Sequence, residues 1–476
     1  MSKSIKVVSM LVMAVMVLTA CAPAATATPT TVPTVAVAST PTITPTTAPT
    51  ETTAATPTSA ATQAGSTPTA VPPTPAPTVA GSIDCTGVKS GDLITVMYQW
   101  TGNEEALFKN IMAPFVSACG VKIAANSTHD NAVLDTAVQS TPPDVLFWPS
   151  TSPLTLYTTQ LIDLTTLGVD PSNYASYWVE MGTVNGKLLM LPAKTDINSI
   201  VWYSPAQFEA NGYNVPTTLD ELQTLVDKMV ANGQVPWAMG FESGSATGKT
   251  GSDFMQDLLL AMKGPDYVNG IINGALPYND PGVLAAYQLY VKWAADTKYT
   301  VGGATGTVNT NYADALLQPF SEPPKAMMVK QSGFAGGNIA AAYPNLKYGI
   351  DYALFGFPGA QGVQGRADYM YAFTNNADVK AMLGYITGPV GAANWAATGF
   401  SLDPNKQADG KYLDPQLTDM AKVLANTNGF TPVIGDTIGG IFQPAEWTAI
   451  INAVQGKDIQ TELNTVEAAQ RSSLGK

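Results

Sequence analysis

Apolar and polar positions repeat with two periods along the chain. Leu93 to Tyr98, Val121 to Ala125 and Asp144 to Trp148 are short runs rich in β-branched and aromatic residues, and each reads as a strand. Between them the loop Gln99 to Glu105 leads into a helix through Ala113 or beyond, and Asn131 to Val138 reads as a second helix. This alternation predicts a parallel α/β sheet, because parallel neighbours need a crossover connection. Further on, Ile200 to Tyr203 reads as a strand and Ala206 to Ala210 as a short helix stopped by Asn211-Gly212. Thr218 and Glu221 form a capping box that opens a helix with Leu219, Leu222, Leu225, Val226 and Met229 on one face. Pro236 to Phe241 and Pro324 to Val329 read as strands, and Phe254 to Met262 as a helix.

The first eighty residues follow neither period. Lys3 and Lys6, an apolar run from Val7 to Leu18, and Leu18-Thr19-Ala20-Cys21 are the parts of a secretory signal. Small residues before Cys21 resemble the bacterial lipobox, which implies cleavage there and lipid on Cys21; an ordinary signal with a chance cysteine is the alternative. From Cys21 to about Ser82 the chain is nearly all Thr, Pro, Ala, Val and Ser, with Glu51 its one charged residue. Such a stretch buries too little apolar surface to offset its ordering entropy, so it reads as a disordered tether.

Composition narrows the function. A chain of 476 residues exceeds what one core usually serves, so two lobes are expected. The net charge of −13 with no basic run argues against nucleic acid or anionic lipid as a partner. His129 is the only histidine, which removes any zinc site needing two. Cys85 and Cys119 remain as an even pair in an exported chain and read as a disulfide, two separate buried thiols being the alternative. Gly244 to Gly248 with Lys249-Thr250 has a P-loop look, but three residues separate the glycines where four are required, so no nucleotide site is assigned.

Pro192-Ala193-Lys194-Thr195-Asp196, Val201-Trp202-Tyr203, Gly212-Tyr213 and Pro216 to Leu222 together resemble the central segment of bacterial extracellular solute-binding proteins of the maltose-binding-protein-like kind. Pro236-Trp237, Glu242-Ser243-Gly244, Asp253 and Asn279-Asp280-Pro281 resemble its glucoside-type members, and the likeness runs from about Leu93 to Ala469. It implies an α/β, two-lobed type II periplasmic-binding-protein-like fold, each lobe a mostly parallel sheet flanked by helices, joined by a hinge of crossing segments. Lobe I would take 83–195 plus about 366–425, and lobe II about 196–365 plus 426–476. The implied role is a monomeric, lipid-anchored extracytoplasmic receptor that hands a sugar to an ABC permease, without cofactor, metal or catalysis. An exported glycoside-acting enzyme, or a non-sugar ligand on the same scaffold, are the alternatives.

A sugar offers weakly apolar faces that lie on flat rings and hydroxyls that need paired donors and acceptors. Trp100 and Trp148 fall at or just past strand ends, where α/β sheets hold ligands. Glu104 sits by a helix start, Lys194 and Asp196 at the first crossing, and Trp202 in the strand after it. Glu242 and Asp253 flank the glycine-rich loop. The resemblance adds Phe334, following Gly333, as the sugar-stacking aromatic, and Phe442 late in the chain is a further candidate. Asp368 is the candidate at the second crossing, where Arg366-Ala367-Asp368-Tyr369 replaces the family's usual glycines.

Overall fold

The computed structural model describes residues Gly81–Lys476. Cys21, the signal-like segment and the tether therefore lie outside the described residues. No described helix is long and apolar enough to cross a membrane.

Among the described residues, twelve strands form two main sheets and a hairpin. They are β1 Leu93–Tyr98, β2 Lys122–Ser127, β3 Val145–Trp148, β4 Thr183–Val184, β5 Lys187–Leu188, β6 Leu191–Ile197, β7 Ile200–Tyr203, β8 Trp237–Ala238, β9 Met328–Lys330, β10 Ala353–Gly356, β11 Val363–Ala372 and β12 Phe430–Pro432. The first sheet runs β12-β11-β3-β1-β2, with β6 also on β11, and the second runs β10-β7-β9-β8. β1 is parallel to β2 and β3, as the strand–helix alternation requires. β11 is antiparallel to β3 and β6 and parallel to β12, so β11 and β12 alone run against the rest of that sheet. In the second sheet β7 alone is reversed: it is antiparallel to β10 and β9, and β8 is parallel to β9.

The Asn103–Cys119 helix explains the first crossover. Phe108, Ile111, Met112, Phe115 and Cys119 recur at helical spacing and are buried, and Gly120 ends the helix in the left-handed conformation. A Cys85–Cys119 disulfide ties that helix end to the start of the folded region. The second sheet is buried on both faces. Trp202, Val329 and Leu354 belong to one apolar cluster, and their neighbours Val201, Met328 and Phe355 to the other, as a period of two demands. The expected strand at Pro236 to Phe241 is paired only over Trp237–Ala238. Beyond it, the Phe241 and Glu242 amides donate to the Thr307 and Thr310 carbonyls instead.

The sheets are joined three times: from β6 to β7 through Asn198 and Ser199, from β10 to β11 through 357–362, and from the Pro415–Ala425 helix through β12 to Ile434–Ile438. The Pro415–Ala425 helix, which falls within the expected range of lobe I, packs against β10 of the second sheet. There Gly356 leaves room for Val423, and the Tyr348 hydroxyl donates to Asp419 at 2.9 Å.

Candidate functional site

A cavity of about 470 Å³ lies where the first two connections leave the sheets. That is within the usual range for small-molecule sites, roughly 300–1,000 Å³.

One wall is built by strand pairing. Alternation along β6 puts Lys194 and Asp196 on one face, and in β11 Arg366 and Asp368 are their direct partners, Arg366 opposite Asp196 and Asp368 opposite Lys194. The strands come this close because residue 365 is glycine: a Cβ there would lie 2.0 Å from the Asp196 carbonyl oxygen. The Lys194 Nζ is 2.8 Å from Glu104 Oε1, 3.8 Å from Asp368 Oδ2 and 3.9 Å from Asp196 Oδ2, and 4.9 Å from the Phe400 ring centre. Burial pulls its ammonium pKa down, but Asp196, Asp368 and Glu104 outweigh burial and leave it above the ordinary lysine value. Burial raises the Asp368 carboxyl above its usual range, opposed by Lys194 and by the Trp100 indole, which donates to Asp368 at 2.6 Å. Arg366 pairs with Asp436, which also accepts from Gln443 Nε2 at 2.7 Å.

Phe400 and Ser401 complete this wall. Gly399 takes the left-handed conformation at the end of Pro389–Thr398, and Ser401 follows at φ 102°, outside the region where non-glycine residues normally sit. Its hydroxyl donates to the Thr195 carbonyl at 2.7 Å and contacts the Asp196 carboxylate, so the strained turn is tied to the wall it orients.

The opposite wall comes from the end of β9 and from the Pro415–Ala425 helix. A Cβ at Gly336 would lie 1.7 Å from Gln416 Oε1, and Gln416 Nε2 donates to the Gly333 carbonyl at 2.8 Å. Glycine lets the helix press against this turn, which presents Phe334 to the cavity 48% exposed, its back edge-on to Tyr312. The site thus sets carboxylates, an ammonium and a guanidinium against an exposed ring.

Of the residues singled out on sequence, Glu104, Lys194, Asp196 and Phe334 line this cavity. Asp368 and Trp100 stand behind it: Trp100 is buried among Phe108, Phe147, Trp395 and Phe400 and acts on the wall through Asp368. The other five are placed elsewhere. Trp148 and Trp202 are core residues, 1% and 0% exposed, and the Trp202 indole donates to the Gln331 carbonyl at 3.1 Å. Phe442 is fully buried edge-on to Tyr278. Glu242 accepts from Asn311 Nδ2 and from the Gly244 amide at 3.1 Å, which holds its carboxyl below the usual range. Asp253 pairs with Lys249 at 3.0 Å. Arg366, Phe400, Ser401, Gln416 and Met420 line the cavity without having been singled out. Arg366 was within reach of the strand period, being two residues from Asp368, whereas the others are brought in by tertiary packing. Among the described residues no group of three His, Cys, Asp or Glu is placed to hold a metal ion.

The profile of bacterial extracellular solute-binding proteins matches residues 110–424. The chain is 30% identical over 392 residues to the alpha-glucosides-binding periplasmic protein AglE of Rhizobium meliloti, covering 77% of this chain and 84% of that protein. It is 24% identical over 388 residues to the osmoprotective compounds-binding protein GgtB of Synechocystis, covering 79% and 91%. In fold it resembles the bacterial solute receptor AcbH, described as preferring β-D-galactopyranose, at a TM-score of 0.66 and 19% identity over 80% of this chain and 98% of that one. The apo form of RafE from Streptococcus pneumoniae superposes at 0.64 with 18% identity, covering 81% and 99%. A two-sheet architecture with three connections, a cavity beside two of them and a profile match spanning most of the folded region agree: this chain belongs to the bacterial extracellular solute-binding protein family.

Proposed function

We propose that this chain is a lipid-anchored extracytoplasmic receptor that binds a neutral sugar, a glucoside or short oligosaccharide, between two lobes and delivers it to an ABC permease without chemical change. The observation that carries the reading is the cavity itself. Phe334 offers a flat apolar surface, and opposite it the Glu104 and Asp196 carboxylates stand half open to solvent, their side chains 47% and 57% exposed. Acceptors of that kind take hydroxyl protons in charge-assisted bonds, while the ring takes the C–H face. Lys194 and Arg366 nearly balance the two carboxylates, and Asp368 and Asp436 lie behind them, so an anionic ligand gains no net attraction.

In this reading the lobes follow the two sheets, Cys21 carries the lipid and 21–82 is the tether. The glucoside preference rests on the likeness to the alpha-glucoside-binding relative. Titration calorimetry with maltose, trehalose, sucrose, raffinose and galactose tests it. At least one glucoside should bind with a Kd of about 1 μM or tighter, close to −8 kcal/mol. Absence of heat with every sugar would overturn the proposal.

A further inference from the structure

One helix of the second lobe holds all three connections between the sheets. Lys249–Lys263 is buried without a break from Gly251 to Leu260, yet Asp253, Gln256 and Asp257 on that buried stretch are polar. Their spacing of three and four residues puts them on one face. Asp257 accepts from the Ser199 hydroxyl at 2.5 Å, and the Ser199 oxygen accepts from the Gln364 amide at 2.9 Å. The Gln364 side chain donates to the Asp253 carbonyl. Gln256 uses both ends of its amide: Nε2 donates to Thr431 Oγ1 at 3.1 Å and to the Pro432 carbonyl at 2.8 Å, and Oε1 accepts from the Ile434 amide at 2.9 Å. Ser199 belongs to the first connection, Gln364 is the second residue of β11, just past the second, and Thr431 to Ile434 belong to the third. Ser199, Asp257, Gln364 and Thr431 are all 0% exposed and Gln256 is 2% exposed, so water cannot substitute for these bonds. Asp257 is also bound to Lys330 at 3.0 Å, at the end of β9, four residues before Phe334.

We infer that Lys249–Lys263 is the anchor of the hinge: the three connections move with the second lobe as one body, and bending on ligand closure occurs on the first-lobe side of these bonds, in β6 and β11. The β6–β11 pairing is irregular there, with a register shift between Asp368 and Tyr369. The bending stretch, about 194–197 with 365–369, is the one that carries Lys194, Asp196, Arg366 and Asp368. A ligand held by those groups therefore loads the bending strands directly, while the anchor fixes their far ends. Gln256 and Asp257 act as positioning residues and touch no ligand.

The inference rests on the receptor reading only in assuming that a sugar closes the lobes, and two measurements on the full chain keep them apart. In the first, hydrogen exchange of the ligand-free protein is compared between helix and connections. The amides of Gln364 and Ile434 should exchange within about tenfold of those of Leu258 to Leu260, as one cooperative unit does. Exchange about a hundredfold faster or more would overturn the inference. Gln256→Leu removes the Ile434 bond and should speed exchange at Ile434 at least as much as at Gln364, and unchanged exchange at Ile434 would also count against it. In the second, Ser199→Cys with Asp257→Cys is oxidised to lock the first connection to the helix, and small-angle scattering follows contraction on saturation with maltose, trehalose or sucrose. The locked protein should contract as much as the wild type. Loss of contraction in the locked form alone would place the bend at the anchor and refute the inference. If no sugar contracts the wild type, closure fails as a premise and the exchange comparison decides the anchor alone.

Discussion

Glu446 should make this protein lose stability as pH rises through neutrality, and Glu446→Gln should remove that loss. The residue lies in the Phe442–Val454 helix, 3% exposed, and its Oε1 accepts from the Tyr278 hydroxyl at 2.9 Å. Gly435 packs against Oε2, where a Cβ would come within 2.6 Å. Burial is the main cause that pushes its carboxyl from 4.5 to about 8; the Tyr278 bond and Lys249 oppose the shift, and the Asp253 and Asp436 carboxylates add to it. The native state therefore keeps a proton that the unfolded chain gives up near pH 4.5, so stability is full below that pH and is lost as pH rises towards 8. At about 1.4 kcal/mol per pH unit the whole window is worth roughly 5 kcal/mol. Glutamine keeps the size and the acceptor but does not titrate. Other buried carboxyls raised by burial, Asp403 among them, act alike in both proteins and cancel in the comparison. Urea denaturation of wild type and variant between pH 5 and 8.5 is the assay. The variant's advantage should grow by about 1.4 kcal/mol per pH unit, from near zero at pH 5 to roughly 4–5 kcal/mol at pH 8.5. A pH-independent difference, or one that favours the wild type as pH rises, would refute the argument.

Phe334→Ala should weaken sugar binding about 10- to 100-fold by calorimetry while leaving the Tm nearly unchanged, since the ring is half exposed before ligand arrives. Lys194→Met leaves Glu104, Asp196 and the enclosed Asp368 without their cation; a loss of about 2–4 kcal/mol in urea is expected at pH 8 and less at pH 5, where Asp368, already raised by burial, takes up a proton more readily. Replacing Cys85 and Cys119 together by serine reopens a loop of 34 residues and should cost about 4 kcal/mol by urea midpoint. Gly365→Ala places a Cβ 2.0 Å from the Asp196 carbonyl oxygen and should lower stability and sugar affinity together, because β6 and β11 must part where they carry the binding wall.

Much of the fold was legible in the sequence because the interactions behind it are local. The β1–β3 alternation, the capping box at Thr218 and Glu221, and the Asn211-Gly212 helix stop are each written within a few residues, and each is present in the structure. The site was legible where a strand period or a family segment marked it, as at Lys194, Asp196 and Phe334. It was not legible for the tryptophans: Trp148 ends β3 and Trp202 is next to last in β7, but whether such a position faces a cavity depends on what packs over it.

The sequence by itself marked several of the strands and helices, called for more than one core from its length, and through a net charge of −13 and a single histidine argued against nucleic acid and against a zinc site needing two histidines. Tertiary structure alone decided that Arg366 pairs across the site with Asp436, that Phe400 backs Lys194, and that one helix gathers all three connections. Residues such as Ser199 and Asp257, or Gln256 and Ile434, stand 58 and 178 positions apart. No local period links them, and only the burial that excludes water from their hydrogen bonds makes them partners.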